Sequence, residues 1–531
     1  MSIPGGPDPG TSLIIVNGVQ ILLIIGLGIF VSSMARRRGV EPGMIIVVLA
    51  AAASFIPGVP RLELESEVIL AIVIPPLLYS ATRGASFANF GANIRSIWAL
   101  GVLLVAVTCG ALGFLSSWLL PTLGLSVAFV LGAVLAPPDT ITTVSHGDEI
   151  GLPQRATTIL TGESLVNDAT ALTLFSIAVA AVNGEHTTWS GGFLEFLRTA
   201  SIGLGIGALF AYGALRIRKR LQNPTLETSL VLLVPFTAFL AAEEVHASGI
   251  LAVVMAAFSI SVNLTLDPQH QYPGGYRTRL QEEQVWRVLD FLLETFVFAY
   301  IGLQLKFVLA ELAESENPGL ARTLVAAAVL LVAAIVLRLA GVFVIFGRWR
   351  LKEIGTERRA ESDVYFRARY QRWRERHERR GGVPLPAPTT KEMVLVGWTG
   401  MRGILTLAAA ASIPEHTASG QEFPGRDAIQ AIALFVTLGT LLLQGTTIGW
   451  LARKLNIDVT AERAETERLR ARGRELAAEA ASQPAADVDA SFEAQRLALG
   501  KAVRDRVLPE EIARELIEDV DLRQAARHTG D

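Results

Sequence analysis

Apolar residues run along this chain in long blocks, separated by short polar stretches rich in charge, Gly and Pro. A block of about twenty apolar residues is long enough to cross a bilayer as a helix. Read this way, the chain predicts thirteen membrane segments, at about 11–34, 43–57, 66–81, 95–120, 124–144, 155–182, 193–216, 226–243, 247–263, 285–310, 319–346, 390–413 and 427–452. The second, third and ninth fall short of a strict length rule of about 18 residues. They are kept because the loop charges then alternate from side to side. The expected fold class is an all-α polytopic membrane protein with a cytoplasmic helical tail.

With the N-terminus outside, the inner loops hold Arg36-Arg37-Arg38, Arg83 with Arg95, Arg216 to Arg220, Arg277 with Arg279, and the Arg-rich stretch 348–380. The outer loops hold Glu63, Glu65, Glu67, Glu185 and the acidic run Glu311 to Glu316. Lys and Arg thus gather on one side, as cytoplasmic loops require. An odd number of crossings places the C-terminus in the cytoplasm. Composition agrees, with 51% hydrophobic and only 18% charged residues, where soluble chains carry roughly 25% charged. Cys109 is the single cysteine, so no intramolecular disulfide forms. No basic residue precedes Arg36, so no cleavable signal peptide is expected.

Two polar regions flank the last spans. The cytoplasmic loop 347–391 mixes Arg and Glu around Tyr365, Phe366, Tyr370 and Trp373, and predicts one exposed helix ended by Gly381-Gly382 and Pro384. It suits either a solvated linker or a helix lying on anionic lipid. The tail, 453–531, predicts two or more helices from the spacing of Ile512, Leu516, Ile517 and Val520.

Two predicted spans are broken at mid-membrane. In the fifth, Pro137 and Pro138 precede Asp139-Thr140, and paired prolines cannot both continue a helix. In the twelfth, Gly397, Gly400 and Gly403 surround Arg402, and three glycines in seven residues admit extended backbone. Non-helical backbone at this depth is tolerated only where it lines a cavity or is buried in protein. Breaks at corresponding positions of two halves point to a transporter's binding site. Segments 4–6 are therefore expected to match 11–13 as an inverted repeat.

The sixth span carries Gly162-Glu163-Ser164-Leu165-Val166-Asn167-Asp168. Intramembrane carboxylates are costly, and ion or proton traffic is the first reading of them. At 100° per residue Glu163 and Asn167 share one helix face, and Ser164 and Asp168 the neighbouring one. Asp168 and Ser164 can then offer oxygens to a common point, which Asp139 is free to face. Glu163 needs its own partner, and Arg402 is the expected one, giving a buried ion pair. Such an oxygen cage suits a hard monovalent cation. No His/Cys cluster suits zinc or copper, and no cofactor is expected. Burial disfavours the charged form of a carboxylate, so one group can hold either a proton or a cation, and that competition couples the two flows.

The block from Gly162 to Ala169 resembles the signature of the monovalent cation–proton antiporters, in the branch with an Asn-Asp pair. The blocks Ile74-Pro75-Pro76-Leu77-Leu78-Tyr79, Ser248-Gly249-Ile250-Leu251-Ala252-Val253-Val254, Tyr300-Ile301-Gly302-Leu303-Gln304 and Gly400-Met401-Arg402-Gly403 agree in order, and the resemblance covers about 11–452. It implies a homodimer in the plasma membrane that exchanges Na+ or Li+ for H+, with the lipid bilayer as its surroundings and no nucleic acid as partner. It implies an antiporter domain over 11–452, with core helices about 95–182 and 319–452 moving like an elevator against dimerisation helices about 11–81 and 193–310. It also implies that Asp168 binds both cation and proton, that Asp139, Ser164, Asn167 and Thr140 belong to the cation site, and that Glu163 and Arg402 form a structural pair. Asn167, in place of a second aspartate, implies electroneutral exchange. The chain departs from the family pattern at Pro138, where Thr is common before the aspartate, and at Ser80, where an acid is common.

Other functions fit less well. Potassium–proton exchange uses the same oxygen ligands. An intramembrane hydrolase built on Ser164 lacks a base, since no His lies within helical reach. A sensor or scaffold signalling through the tail would not need Asp139 and Asp168.

Overall fold

The computed structural model describes residues 9–37, 42–62, 71–83, 87–139, 153–184, 189–266, 275–314, 319–379, 387–483 and 487–528. Helices dominate, and among these residues the only β pairing consists of isolated bridges. This follows from the apolar composition, because backbone groups facing lipid must find partners within their own segment. Eight helices among the described residues are long and apolar enough to cross a membrane, and Pro42–Ser54, Pro121–Leu135 and Gly249–Val262 are shorter apolar ones.

In chain order the first half comprises α1 (Pro9–Arg37), α2 (Pro42–Ser54), α3 (Ile74–Arg83), α4 (Phe87–Trp98), α5 (Val105–Leu119), α6 (Gly124–Leu135) and α7 (Gln154–Val182). A π-helical turn, Ala99–Leu104, joins α4 to α5. There Gly101 lets α7 come close, since a Cβ on it would lie 3.1 Å from Val166 Cβ and 3.2 Å from the Glu163 carbonyl oxygen. Then follow α8 (Trp189–Leu221), α9 (Pro224–Glu244), α10 (Gly249–Leu266), α11 (Gly275–Leu303), α12 (Leu305–Glu314) and α13 (Leu320–Ser362).

The first part of the loop expected at 347–391 is a continuation of α13. The helix runs to Ser362, and α14 (Val364–Arg379) follows after a break at Asp363. Hydropathy marks where the membrane ends, but no proline occurs in α13 to end the helix. At the break, Asp363 Oδ1 accepts from the N–H groups of Tyr365 and Phe366, at 2.9 and 3.0 Å, which caps α14. The region is thus two helices rather than one, and its predicted stop at Gly381-Gly382 and Pro384 lies outside the described residues.

The last membrane elements are α15 (Thr390–Trp398), α16 (Ile404–Ala411), α17 (Arg426–Thr440) and α18 (Thr446–Leu455). A capping box starts α15, with Thr389 Oγ1 accepting from the Glu392 N–H and Glu392 Oε2 from the Thr389 N–H. One apolar core joins α5, α6, α7, α13, α16 and α17 through residues such as Leu112, Leu131, Phe175, Leu330 and Ile432. A second joins α3, α8, α9, α10 and α11, with Leu78, Val234, Val253, Trp286 and Ile301 among its members.

The tail forms three helices, α19 (Thr460–Ser482), α20 (Val488–Arg504) and α21 (Glu510–His528). Leu499, Ile512, Leu516, Ile517 and Val520 make its own core. It is held to the start of α11, where the Arg279 guanidinium donates to both oxygens of the buried Asp521 at 2.6 and 2.7 Å. Arg496 also reaches Asp521, at 3.1 Å, and the His528 ring stacks on Tyr276.

Candidate functional site

Helix α6 stops at Leu135, and Pro137 and Pro138 carry the chain on without helical hydrogen bonds. Helix α15 stops at Trp398, and Gly403 is extended (φ −118°, ψ −155°) before α16 begins. The two unwound stretches cross and pair, the Asp139 N–H donating to the Met401 carbonyl at 2.6 Å in a single antiparallel bridge. The predicted glycines sit in close quarters, Gly403 against the other broken segment and Gly397 and Gly400 against α13. A Cβ on Gly403 would fall 1.7 Å from Asp139 Oδ2, and one on Gly397 2.7 Å from Leu339 Cδ2. Gly400 is tight against the Arg338 stem, at 2.9 Å.

Each break supplies the charge that the other's helix end calls for. Arg402 donates from Nε to the Leu135 carbonyl at 3.1 Å and from Nη1 to the Gly400 carbonyl at 2.7 Å. Leu135 is the last residue of α6, where carbonyls lack helical partners and the dipole is negative. The Asp139 carboxylate in turn lies against Gly403, at the positive N-terminus of α16.

That arrangement corrects the pairing expected for Glu163. Its partner is Arg338 of α13, which meets both carboxylate oxygens, with Nη2 to Oε2 at 2.7 Å. Glu163 is fully buried and Arg338 3% exposed. Arg402 instead satisfies carbonyls at the crossing. Arg338 escaped the sequence reading because one arginine is averaged away among the apolar residues of α13.

The face division predicted for α7 does sort its side chains. Ser164 and Asp168, one turn apart, line a cavity of about 70 Å³ together with Asp139. Asn167, on the Glu163 face, does not line it. Its Nδ2 donates to the Pro138 carbonyl at 2.6 Å and so ties the first break to α7. The other end of the amide, Asn167 Oδ1, is buried without a hydrogen bond from any described residue. Thr140 lies outside the described residues.

The cavity lies between α6, α7 and α16 on one side and α3 and α11 on the other. Ile74, Leu77, Val297 and Phe298 make much of its wall apolar. Two polar residues that the sequence reading passed over also line it, Glu294 of α11 and Thr406 of α16. The cost of an intramembrane acid would have singled out Glu294. Nothing in the sequence marks Thr406. Three carboxylates and two hydroxyls in a largely apolar pocket with room for several water-sized groups can take up a hard cation, a proton, or each in turn.

A family model described as sodium/hydrogen exchanger, transmembrane, matches residues 16–454. The chain belongs to the sodium/hydrogen exchanger family. It is a multi-pass membrane protein, a transporter by family rather than an enzyme. An uncharacterized Na+/H+ exchanger of Mycobacterium tuberculosis is 29% identical to it over 83% of this chain and 75% of that protein. The Na+/H+ antiporter ApNhaP of Aphanothece halophytica is 25% identical over the same shares. The sodium proton antiporter MjNhaP1 of Methanocaldococcus jannaschii has the same fold, with a TM-score of 0.59 at 16% identity over 83% of this chain and 99% of that one. The exchanger family match ends at the start of the tail, so α19 to α21 lie beyond it.

Proposed function

We propose that this exchanger carries Na+ or Li+ across the cell membrane in return for H+, with Asp168 binding each in turn. One observation carries the reading: Asp168, Ser164 and Asp139 line a single cavity at the crossing of two broken helices. A bare carboxylate in an apolar pocket is costly, so the site crosses only when neutralised by a proton or a cation. Asp168 then carries one positive charge each way, a cation or a proton, which makes the exchange electroneutral. The helices about 95–182 and 319–452 form the moving core, and those about 11–81 and 193–310 the dimer scaffold. The cavity's place between α3 with α11 and α6, α7 with α16 fits a sliding seam there. On the charge pattern of the loops, the N-terminus is outside and the tail cytoplasmic.

Proton flux in everted membrane vesicles, driven in turn by Na+, Li+ and K+, tests the reading. Saturable flux with Na+ or Li+ is expected, lost in Asp168→Asn. Flux with K+ alone would shift the assignment to potassium–proton exchange, a possibility raised by a Bacillus subtilis relative, 26% identical, named for sodium, potassium, lithium and rubidium. Equal flux in wild type and Asp168→Asn would refute the role of Asp168.

A further inference from the structure

Threonines inside membrane helices usually spend their hydroxyl on the carbonyl one turn back. In this chain Thr161, Thr170, Thr173 and Thr323 do so, at 2.8–2.9 Å. Thr406 cannot. It lies in the first turn of α16, directly after the extended Gly403, so no helical carbonyl stands one turn behind it. Thr406 is 1% exposed, and its Oγ1 is buried without a hydrogen bond from any described residue. It also lines the cavity that holds Asp139, Ser164 and Asp168. A hydroxyl left unpaired in such a place is destabilising, whereas valine has nearly the same shape and no such penalty.

We infer that the Thr406 hydroxyl is a direct ligand of the transported monovalent cation, reaching it from the half-helix opposite Ser164. This rests on the exchange proposed above and deepens it. The hydroxyl oxygen offers a lone pair to a hard cation and requires no charge of its own, so it adds a ligand without changing the charge carried per cycle. It also ties the second broken helix to the cargo, because α16 then senses whether the site holds a cation or only a proton on a carboxylate.

The test compares the full-length wild type with Thr406→Val and Thr406→Ser, using melting in detergent and exchange in proteoliposomes. Melting is read in choline chloride and in NaCl or LiCl of equal ionic strength. In choline chloride Thr406→Val is expected to melt at or above the wild-type temperature, since an unpaired hydroxyl has been replaced by a methyl group. In NaCl it is expected to lose most of the cation-dependent rise in melting temperature. Its apparent KM for the cation should rise about tenfold while kcat stays within about threefold. Thr406→Ser, which keeps the hydroxyl, should retain the cation-dependent shift. A Thr406→Val protein with wild-type KM and an undiminished NaCl shift overturns the inference. So does one that melts well below wild type in choline chloride, because the hydroxyl would then have a partner in the protein itself. If Thr406→Val cannot be purified folded, Thr406→Ser decides, and a loss of its shift equal to that of Asp168→Asn counts against a ligand hydroxyl. A wild type that exchanges protons for none of Na+, Li+ and K+ sinks the transport reading and this inference with it. A wild type that exchanges normally beside an unaltered Thr406→Val sinks only the inference.

Discussion

Glu163 and Arg338 give the sharpest energetic expectation. Both side chains are buried, joined by two parallel contacts between guanidinium and carboxylate. Replacing either by Gln leaves its partner charged and uncompensated in the interior. Such a loss costs about 3–5 kcal/mol. With an unfolding entropy of about 2.1 cal/mol/K per residue over the roughly 440 residues of the matched region, that becomes a fall of about 3–5 °C in melting temperature. Glu163→Gln and Arg338→Gln should each show it, and the double variant should melt above either single one, because no lone charge remains. The assay is thermal melting of purified protein in detergent, read as a double-mutant cycle. Arg402 provides the control. Its variants should destabilise by freeing the Leu135 and Gly400 carbonyls, and their effect should add to that of Glu163→Gln. Additive Glu163 and Arg338 effects beside strongly coupled Glu163 and Arg402 effects would refute the reasoning and restore the pairing expected from the sequence.

Asp168→Asn should abolish exchange while leaving melting near the wild-type value; vesicle flux with a melting control checks both. Gly403→Ala should displace the Asp139 carboxylate, because its Cβ would fall 1.7 Å from Oδ2; exchange well below wild type is expected, and full flux would show that the crossing relaxes freely. Exchange should not respond to a potassium diffusion potential in proteoliposomes. A net charge moved per cycle would couple at about 2.3 kcal/mol per 100 mV, so a voltage-shifted equilibrium would mean that Asp139 or Glu294 also carries a proton.

What the sequence determined by itself was local. Runs of apolar residues long enough to span lipid have one way to satisfy their backbone, so the helices could be located before any packing was known. Pro137 with Pro138 break their helix by their own covalent geometry, and Gly400 and Gly403 permit the second break, while Gly397 stays within α15. The 100° step of α7 separates Ser164 and Asp168 from Glu163 and Asn167 whatever surrounds them. Tertiary structure decided which groups those faces meet. Arg338 and Arg402 are both buried arginines, and only the tertiary placement of α13 gives Glu163 to the first, while the end of α6 claims the second. The path of the broken helix, not the sequence, puts the Pro138 carbonyl against the amide of Asn167. Glu294 and Thr406 enter the cavity from α11 and α16, elements far from α7 in sequence. Helix periodicity fixes where a side chain points on its own cylinder, and only the packing of one cylinder against another fixes what it finds there.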